Sequence, residues 1–88
     1  LPISEQLVLK IGVPILFTIN KWGKYVNGER GFLRAIEDDY LLIEKENEFV
    51  RVKKHEFDML DIVVHDDGRV EQISIATLKQ FPVKLAYA

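Results

Sequence analysis

The fold is decided by the stretch FLRAIEDDYLLIEKENEFVRVK at residues 32–53, in which short apolar runs are separated by acidic turns. The turns are predicted at Asp38-Asp39 and at Glu46-Asn47-Glu48. The strands that they separate are Phe32 to Glu37, Tyr40 to Glu44 and Phe49 to Lys53. Strands of this length between such turns are typical of a small sandwich or barrel. The stretch therefore predicts an all-β fold.

Further strands are predicted on both sides of this stretch. They are the second half of the apolar segment from Leu7 to Ile19, then Leu60 to His65, Val70 to Ile75 and Phe81 to Tyr87. Residues 66–69 are predicted as the hairpin connection between the second and third of these. Because proline cannot donate to a strand ladder, Pro14 predicts that the first is an edge strand or is bulged.

A helical pattern is weak and is confined to Ser4 to Leu9 and Ile75 to Lys79. In the alternating run from Val13 to Ile19, the odd-numbered residues are all apolar and predict a face that packs on the core. The sequence as a whole predicts a compact all-β barrel of five to seven short antiparallel strands with little helix.

The composition limits the protein to one small domain. A chain of 88 residues is too short for two cores, and 48% hydrophobic residues with 30% charged residues exclude a disordered tail. A globule of this length is expected to have a radius of gyration of about 12 Å. The chain contains no cysteine, which excludes disulfides, thiolate metal sites and cysteine nucleophiles. No signal peptide or apolar membrane span is recognisable, so we expect a cytoplasmic protein without membrane contact.

Both ends of the sequence predict a piece of a longer chain. The chain begins at Leu1, and Met59 is its only methionine. It stops within the alternating run from Phe81 to Tyr87, without a polar tail. Since natural termini usually fray into polar residues, we expect residues 1–88 to be a single domain taken from a longer polypeptide.

Charge is unevenly distributed, although the net charge of −2 gives no overall reason to expect a nucleic-acid partner. From Lys10 to Arg34, five cations stand against Glu29 alone, a net charge of +4. From Glu37 to Glu71, twelve acids stand against five cations, a net charge of −7. A basic segment is thus carried by an acidic body.

The segment from Asn20 to Gly31, here called the basic loop, is the segment with functional character. Its candidate contact residues for nucleic acid are Asn20, Lys21, Trp22, Lys24, Tyr25 and Arg30. Cations can follow phosphates, and an aromatic ring offers base stacking worth about 1–3 kcal/mol, so the pattern fits single-stranded nucleic acid. In the alternative interpretation, Trp22 and Tyr25 cover the open end of the barrel and the lysines are only solvated.

The glycines of the basic loop are assigned to its backbone. Asn27 and Gly28 predict a tight turn because both tolerate positive φ, and Gly31 is assigned to the same turn-forming motif. No residue is assigned to catalysis, to a cofactor or to a metal. The polar residues weighed and set aside for these roles are His55, His65, Asp58, Asp61, Asp66, Ser4 and Ser74.

Two motifs near the ends of the chain resemble a known family. LVLKIGVPILFTIN at residues 7–20, followed by VNGERG at 26–31, resembles the segment that opens the accessory barrel of RecD-like and Pif-like superfamily 1 DNA helicases. QFPVKLAYA at 80–88 resembles the run just before a helicase motif that begins with threonine. Residues 37–75 match only in strand pattern and length, and Pro14 stands where the family more often has a small residue. The acidic middle argues against a broad DNA-binding surface.

The resemblance implies an SH3-like barrel inserted in the second RecA-like domain of an ATP-dependent DNA helicase. The barrel would occupy about residues 7–75, and 76–88 would begin the connection back to the RecA-like domain. ATP and magnesium would bind to RecA-like parts outside this chain, which would itself hold no cofactor. The implied partners are single-stranded DNA and the RecA-like domains of the same chain, and the protein is expected to be a monomer.

Under this interpretation, the basic loop contacts single-stranded DNA while the barrel braces its neighbours. Asn20, the two lysines of the loop and Arg30 would meet phosphates, and Trp22 or Tyr25 would stack on a base or act as a buttress. The alternative is a protein–protein docking module with an SH3-like fold and no nucleic-acid contact. In that case the apolar ends and the acidic face would make the contacts.

Overall fold

The computed structural model describes residues 9–87, which form seven antiparallel strands and no helix. The strands are β1 (Pro14–Phe17), β2 (Arg30–Ile36), β3 (Tyr40–Lys45), β4 (Glu48–Lys53), β5 (His55–Val64), β6 (Val70–Gln80) and β7 (Val83–Leu85). The all-β prediction is confirmed. In this part of the chain no helix is long and apolar enough to cross a membrane. Of the weak helical pattern at Ser4 to Leu9, all but Leu9 lies outside the described residues.

Five of the strands form one antiparallel sheet in the order β4-β3-β2-β1-β7. The strands β2, β3 and β4 make a meander, and β1 pairs with β2, with Ile15 opposite Gly31. The last strand returns to pair with the first, so that Leu85 in β7 lies opposite Ile15 on its other side. This is the strand order of an SH3-like barrel, as the resemblance implies.

The core lies on one face of this sheet, where alternate side chains along the strands are buried. Its buried residues are Ile15, Phe17, Tyr25, Leu33, Leu41, Ile43, Val50, Val52 and Val83. Val13 and Ile19 pack against its margin, so the predicted apolar face of the first strand is confirmed. Each large aliphatic or aromatic side chain buried in this way contributes about 1.5–3 kcal/mol. The core therefore joins all five strands of the sheet and one residue of the basic loop.

The turn between β3 and β4 shows how local sequence sets the register of the meander. Glu46 and Asn47 have positive φ angles of 39° and 67°, and Lys45 lies opposite Glu48. Positive φ at both central residues is the geometry of a type I′ hairpin, whose twist matches that of the flanking strands. The predicted turns at Asp38-Asp39 and at residues 46–48 are confirmed, and β4 begins one residue earlier than predicted.

The strands β5 and β6 form a separate two-stranded ribbon, here called the ribbon and including the turn at residues 65–69. They pair from His55 opposite Gln80 to Val64 opposite Val70. Within the described chain, they contact each other and no strand of the sheet. The ribbon makes the molecule 55 × 28 × 27 Å in extent, with a radius of gyration of 16.3 Å. The expectation of a compact globule of about 12 Å is therefore wrong.

Two further expectations from the sequence are corrected. Residues 75–79 are not helical but lie in β6, because pairing with β5 and the β-branched residues Ile75 and Thr77 favour an extended backbone. Pro14 is not in an edge or bulged strand, since β1 lies between β2 and β7 without a register shift. As the first residue of β1, Pro14 needs no ladder donor of its own, and its carbonyl accepts a bond from Ala86 N at 3.0 Å.

The predicted division into a barrel at about residues 7–75 and a connection at 76–88 concerns a longer chain and stays a prediction. In the structure, β7 belongs to the sheet although it lies after residue 75. The ribbon strands lie outside the sheet although most of their residues precede that point. The sheet is therefore assembled from strands that precede the ribbon in sequence and one strand that follows it.

Candidate nucleic-acid interface

The basic loop begins with a small hairpin whose tip projects from the sheet. Lys21 N donates to Tyr25 O at 2.8 Å, and Tyr25 N donates back to Lys21 O at 3.0 Å. Inside this bridge, Lys24 N donates to Lys21 O at 2.9 Å, and Gly23 has a φ of 74°. A positive φ at the third residue is the geometry of a type II turn, which favours glycine. The turn places Trp22, Gly23 and Lys24 at the tip of the hairpin.

The two aromatic residues of this hairpin have opposite environments. The Tyr25 side chain is 5% exposed, and its ring stacks on that of Phe17 with centroids 4.2 Å apart and planes at 12°. Burial raises the pKa of the Tyr25 hydroxyl above its ordinary value. Trp22, in contrast, is 97% exposed. Tyr25 is thus the core residue that anchors the hairpin, and Trp22 is the aromatic ring that the hairpin presents to solvent.

A second turn closes the base of the loop where Asn27-Gly28 predicts one. Glu29 N donates to Val26 O at 3.0 Å around Gly28, which has a φ of 89°. Gly28 N donates to Phe17 O at 2.8 Å, which fixes this turn to the end of β1. The Asn20 side chain accepts a bond from Asn27 N through Oδ1 at 2.7 Å. Asn20 therefore ties the start of the loop to its second turn.

Gly31 does not form a turn, and its assignment to the turn motif is wrong. It is buried within β2 and does not have a positive φ. A Cβ at this position would fall on Ile43 Cγ2 and within 3.0 Å of Glu44 O. Glycine is required here because β2 and β3 approach each other closely at this point.

Of the three cations of the basic loop, Lys21 and Lys24 lie together in the hairpin and Arg30 lies apart from them. Lys21 and Lys24 are exposed in the hairpin, and neither makes an ion pair with the carboxylates of residues 9–87. Arg30 is the first residue of β2, and its guanidinium reaches Ala86 O at 3.4 Å. The two lysines flank Trp22 in sequence, whereas Arg30 faces the end of the described chain.

A half-buried ion pair supports the loop from below. Lys45 Nζ in β3 donates to Glu29 Oε2 at 2.9 Å, and the other Glu29 oxygen accepts from Val26 N at 3.1 Å. The side chains are 12% and 21% exposed, respectively. The hydrogen bond from Lys45 lowers the pKa of the Glu29 carboxyl, and the same hydrogen bond raises the pKa of the Lys45 ammonium group. The pair joins the loop to β3.

An open groove of about 760 Å³ runs along the hairpin. It is lined by Asn20, Lys21, Trp22, Gly23, Lys24, Tyr25, Val26, Glu29, Lys45 and Glu48. Five of the six predicted contact residues thus share one surface, and Arg30 does not. Sequence reasoning missed Lys45 and Glu48, which lie in the β3–β4 hairpin and reach the groove only through the strand register. No local sequence signal marks them.

The histidines set aside above lie on the ribbon, away from the basic loop. His65 Nε2 lies 2.9 Å from Glu71 Oε2, and the His55 ring meets the Phe57 ring edge to face at 4.8 Å. Within residues 9–87, no three histidine, aspartate or glutamate side chains are grouped as a metal site would require.

The chain resembles known helicases over its entire length. The ATP-dependent DNA helicase Pif1 of Campylobacter jejuni is 38% identical over 94 residues, which cover 100% of this chain and 21% of the relative. That of Bdellovibrio bacteriovorus is 36% identical over 89 residues, which cover 99% of this chain and 18% of the relative. No protein-family model matches the chain.

Solved structures show the same fold. Bacteroides Pif1 bound to ssDNA superposes with a TM-score of 0.74 at 24% identity, and the match covers 91% of this chain and 19% of that one. The complex of Bacteroides Pif1 with ADP-AlF3 and ssDNA gives a TM-score of 0.73 at the same identity and coverage.

Strand order and core together define this chain as a small SH3-like, all-β domain. The sequence relatives narrow the class of protein further. The chain is homologous to a segment of the Pif1 DNA helicases, and it spans about a fifth of the length of the relatives that it matches.

Proposed function

We propose that this chain is a non-catalytic accessory domain of an ATP-dependent DNA helicase and that the tip of its basic loop contacts single-stranded DNA. The observation that carries the proposal is the exposure of Trp22 between two lysines that have no ion-pair partner among the described residues. An aromatic ring exposed between two cations is the arrangement that single-strand binding uses, because the ring can stack on a base while the cations meet phosphates. Bacteroides Pif1, two structures of which hold ssDNA, shares the fold of this chain and supports the same assignment.

The tip offers the two kinds of contact that a single strand requires. The indole of Trp22 can stack on any base, and Lys21 and Lys24 can meet the phosphates on either side of it. The groove beside the ring is open, so a strand can enter without threading through an enclosed channel. Glu29 and Glu48 on the groove wall limit how far phosphates can extend from the tip. The contact is therefore short.

The other predicted contact residues have supporting roles in this proposal. Tyr25 holds the hairpin on the core through Phe17, and Asn20 holds the base of the loop through Asn27. Arg30 lies outside the groove and can meet a phosphate only if the strand continues past the loop. In the parent protein, ATP and magnesium would bind to RecA-like domains, which the barrel would brace in a cytoplasmic monomer.

The proposal is tested by titrating the 15N-labelled chain with oligo-dT at low salt. Amide shifts are expected in residues 20–31, with weak affinity that falls as salt rises because few phosphates are neutralised. Trp22→Ala is expected to weaken binding by about 5- to 150-fold, as loss of one base stack implies. The matched control is Phe49→Ala, since Phe49 is exposed on β4 and points away from the core face. Equal effects of the two variants would contradict the proposal.

A charge variant tests the lysines separately. Lys24→Glu is expected to weaken oligo-dT binding and to reduce its salt dependence. Lys53→Glu makes the same charge change at an exposed residue of β4 and is expected to leave both almost unchanged. No shift in residues 20–31 at millimolar DNA would reject the contact.

The second candidate function is protein–protein docking without nucleic acid. It is favoured by one observation, which is the large exposed aliphatic surface of the ribbon. Reversal of both Lys21 and Lys24 in the intact parent helicase separates the two functions. Normal unwinding after that change would favour docking, and impaired unwinding with intact folding would favour DNA contact.

A further inference from the structure

The strand β5 has an open edge that carries no lysine, proline or bulge to block further strand pairing. It pairs with β6 alone, so among the described residues no strand lies along its other side. Natural proteins protect such edges with charged side chains, above all lysine, with proline or with a bulge. From His55 to Val64, the sequence contains no lysine, arginine or proline, and its charged residues Glu56, Asp58 and Asp61 are all acidic, so they repel an acidic segment and attract a cationic one. The ribbon's bulge is in the other strand, where Ile75 has no partner between Ala76 and Ser74.

One face of the ribbon is aliphatic and uncovered. Leu60, Ile62 and Val64 are 52%, 61% and 68% exposed, and strand alternation places them on the same face. Val70, also exposed, lies directly opposite Val64 and extends this row across the ribbon. A two-stranded ribbon without other packing is marginally stable, and a third strand with an apolar face is needed for independent stability. The row is therefore a surface that a further strand would cover.

The charge of the ribbon restricts what that strand can be. Residues 55–80 contain six acids and two cations, a net charge of −4 with histidine neutral. Both cations are already paired within the ribbon, Lys79 with Glu56 at 3.6 Å and Arg69 with Asp67 at 2.9 Å. Asp61 has no such cationic partner among the described residues, and alternation places it on the face opposite Ile62. A nucleic acid is disfavoured at this surface, and a cationic protein segment is favoured.

We propose that the open edge of β5 is a docking site for an extended segment of a partner protein in which aliphatic residues alternate with lysine or arginine. Such a segment adds as a third strand, and its backbone groups pair with those of the edge. Its aliphatic side chains continue the row of Leu60, Ile62 and Val64, while its cations, on the opposite face, lie beside Asp61. This site is distinct from the basic loop and does not depend on DNA binding there.

The probe is a synthetic octapeptide of alternating valine and lysine, added to the 15N-labelled 88-residue chain. Shifts are expected in β5 and the facing part of β6. A copy with glutamate in place of lysine is expected to produce none. A copy with every backbone nitrogen methylated keeps its side chains but cannot donate to the edge, and it is expected to bind at least tenfold more weakly. Equal binding of either copy would overturn the proposal.

Two charge variants locate the site on β5. Asp61→Lys is expected to weaken the valine–lysine peptide about three- to fivefold, since one exposed ion pair is lost and a repulsion replaces it. Asp66→Lys makes the same charge change in the ribbon turn and is expected to change binding less than twofold. Because the ribbon contacts no strand of the sheet, its integrity has to be read from its own signals, and hydrogen-exchange protection of the paired β5 and β6 amides reports whether the ribbon of each variant is formed.

Three further outcomes would overturn the proposal. They are equal weakening by the two charge variants, shifts in β5 on adding oligo-dT, and concentration-dependent shifts in β5 without peptide. The second would assign the surface to nucleic acid, and the third would assign it to a second copy of this chain.

Discussion

The sheet and the ribbon are built from similar residues but differ in what covers them. Both contain strands of alternating apolar and polar residues rich in valine, isoleucine and leucine. In the sheet, one face of each strand is packed into a common core. In the ribbon, no side chain of residues 55–80 is buried. Alternation thus determines that a strand forms and which side chains share a face. It does not determine whether other residues of this chain pack on the apolar face.

The comparison is tested most severely by removing one large side chain from each region. Phe17→Ala is expected to lower the free energy of unfolding by about 3–5 kcal/mol, because the ring is fully buried and stacks on Tyr25. Ile62→Ala, on the exposed ribbon face, is expected to change it by less than about 0.5 kcal/mol. Urea unfolding followed by circular dichroism measures both. A similar loss for the two variants would show that the ribbon is packed.

Glycine substitutions sharpen the same contrast at the backbone. Gly31→Ala places a methyl group on Ile43 and is expected to lower the stability of the sheet by about 1–3 kcal/mol. Gly68→Ala in the ribbon turn meets no atom within 4 Å, but its φ of 87° disfavours alanine by about 1–2 kcal/mol. Hydrogen exchange resolves the two regions. Gly68→Ala is expected to reduce protection in β5 and β6 alone, and reduced protection throughout the sheet would contradict their independence.

A smaller effect is expected at the base of the basic loop. Asn20→Ala removes the acceptor for Asn27 N and is expected to lower stability by about 0.5–1.5 kcal/mol, with faster exchange of the Asn27 amide. Asn20→Asp retains an acceptor oxygen and is the matched control, expected to preserve that protection. If alanine and aspartate accelerate the Asn27 amide equally, the bond does not hold the loop.

The smallest expected effect depends on pH. The hydrogen bond from Lys45 lowers the pKa of Glu29, so its stabilisation is fully present above the ordinary glutamate pKa of about 4.3. It is lost as pH falls through the lower pKa of the folded protein. Because the pair is partly solvated, the effect is expected to be below about 1 kcal/mol. Urea midpoints at neutral and acidic pH are expected to differ less in Glu29→Gln than in the unmodified chain.

An exposed carboxylate gives the control for this pH effect. Glu37→Gln, on the turn between β2 and β3, removes a carboxylate that makes no ion pair among residues 9–87 and is the matched control. If it reduces that dependence as much as Glu29→Gln does, the pair with Lys45 is not its source. The raised pKa of Lys45 acts in the opposite range, since its contribution is lost only as pH rises through that raised pKa.

The strands and turns of the meander could be predicted because local residues determine them. The core face of Val13 to Ile19 follows from alternation, and the turn at Glu46-Asn47 follows from turn chemistry. The independence of the ribbon could not be predicted, since its alternation matches that of a core strand. The place of Pro14 depended on which strands pair with β1, and those lie both near and far in sequence.

The candidate site shows the same division between local and distant causes. Sequence identified the hairpin that carries Lys21, Trp22 and Lys24, because cations and aromatic residues are interleaved there. The sequence could not show which of Trp22 and Tyr25 is exposed, because Tyr25 is buried through its stack on Phe17 in β1. Lys45 reaches Glu29 from β3, sixteen residues away, and this contact exists only after the strands have paired.

The ribbon also bears on the order in which the chain can fold. The sheet is complete only when β7 reaches β1, and Ile15 and Leu85, which pair there, are 70 positions apart in sequence (85 − 15). Closing a long loop has an entropic cost, and non-local strand pairing is slow. The ribbon can form locally as a hairpin, and its pairing of His55 with Gln80 then shortens the effective loop between β4 and β7. A segment that adds nothing to the core can thereby set the rate at which the core closes.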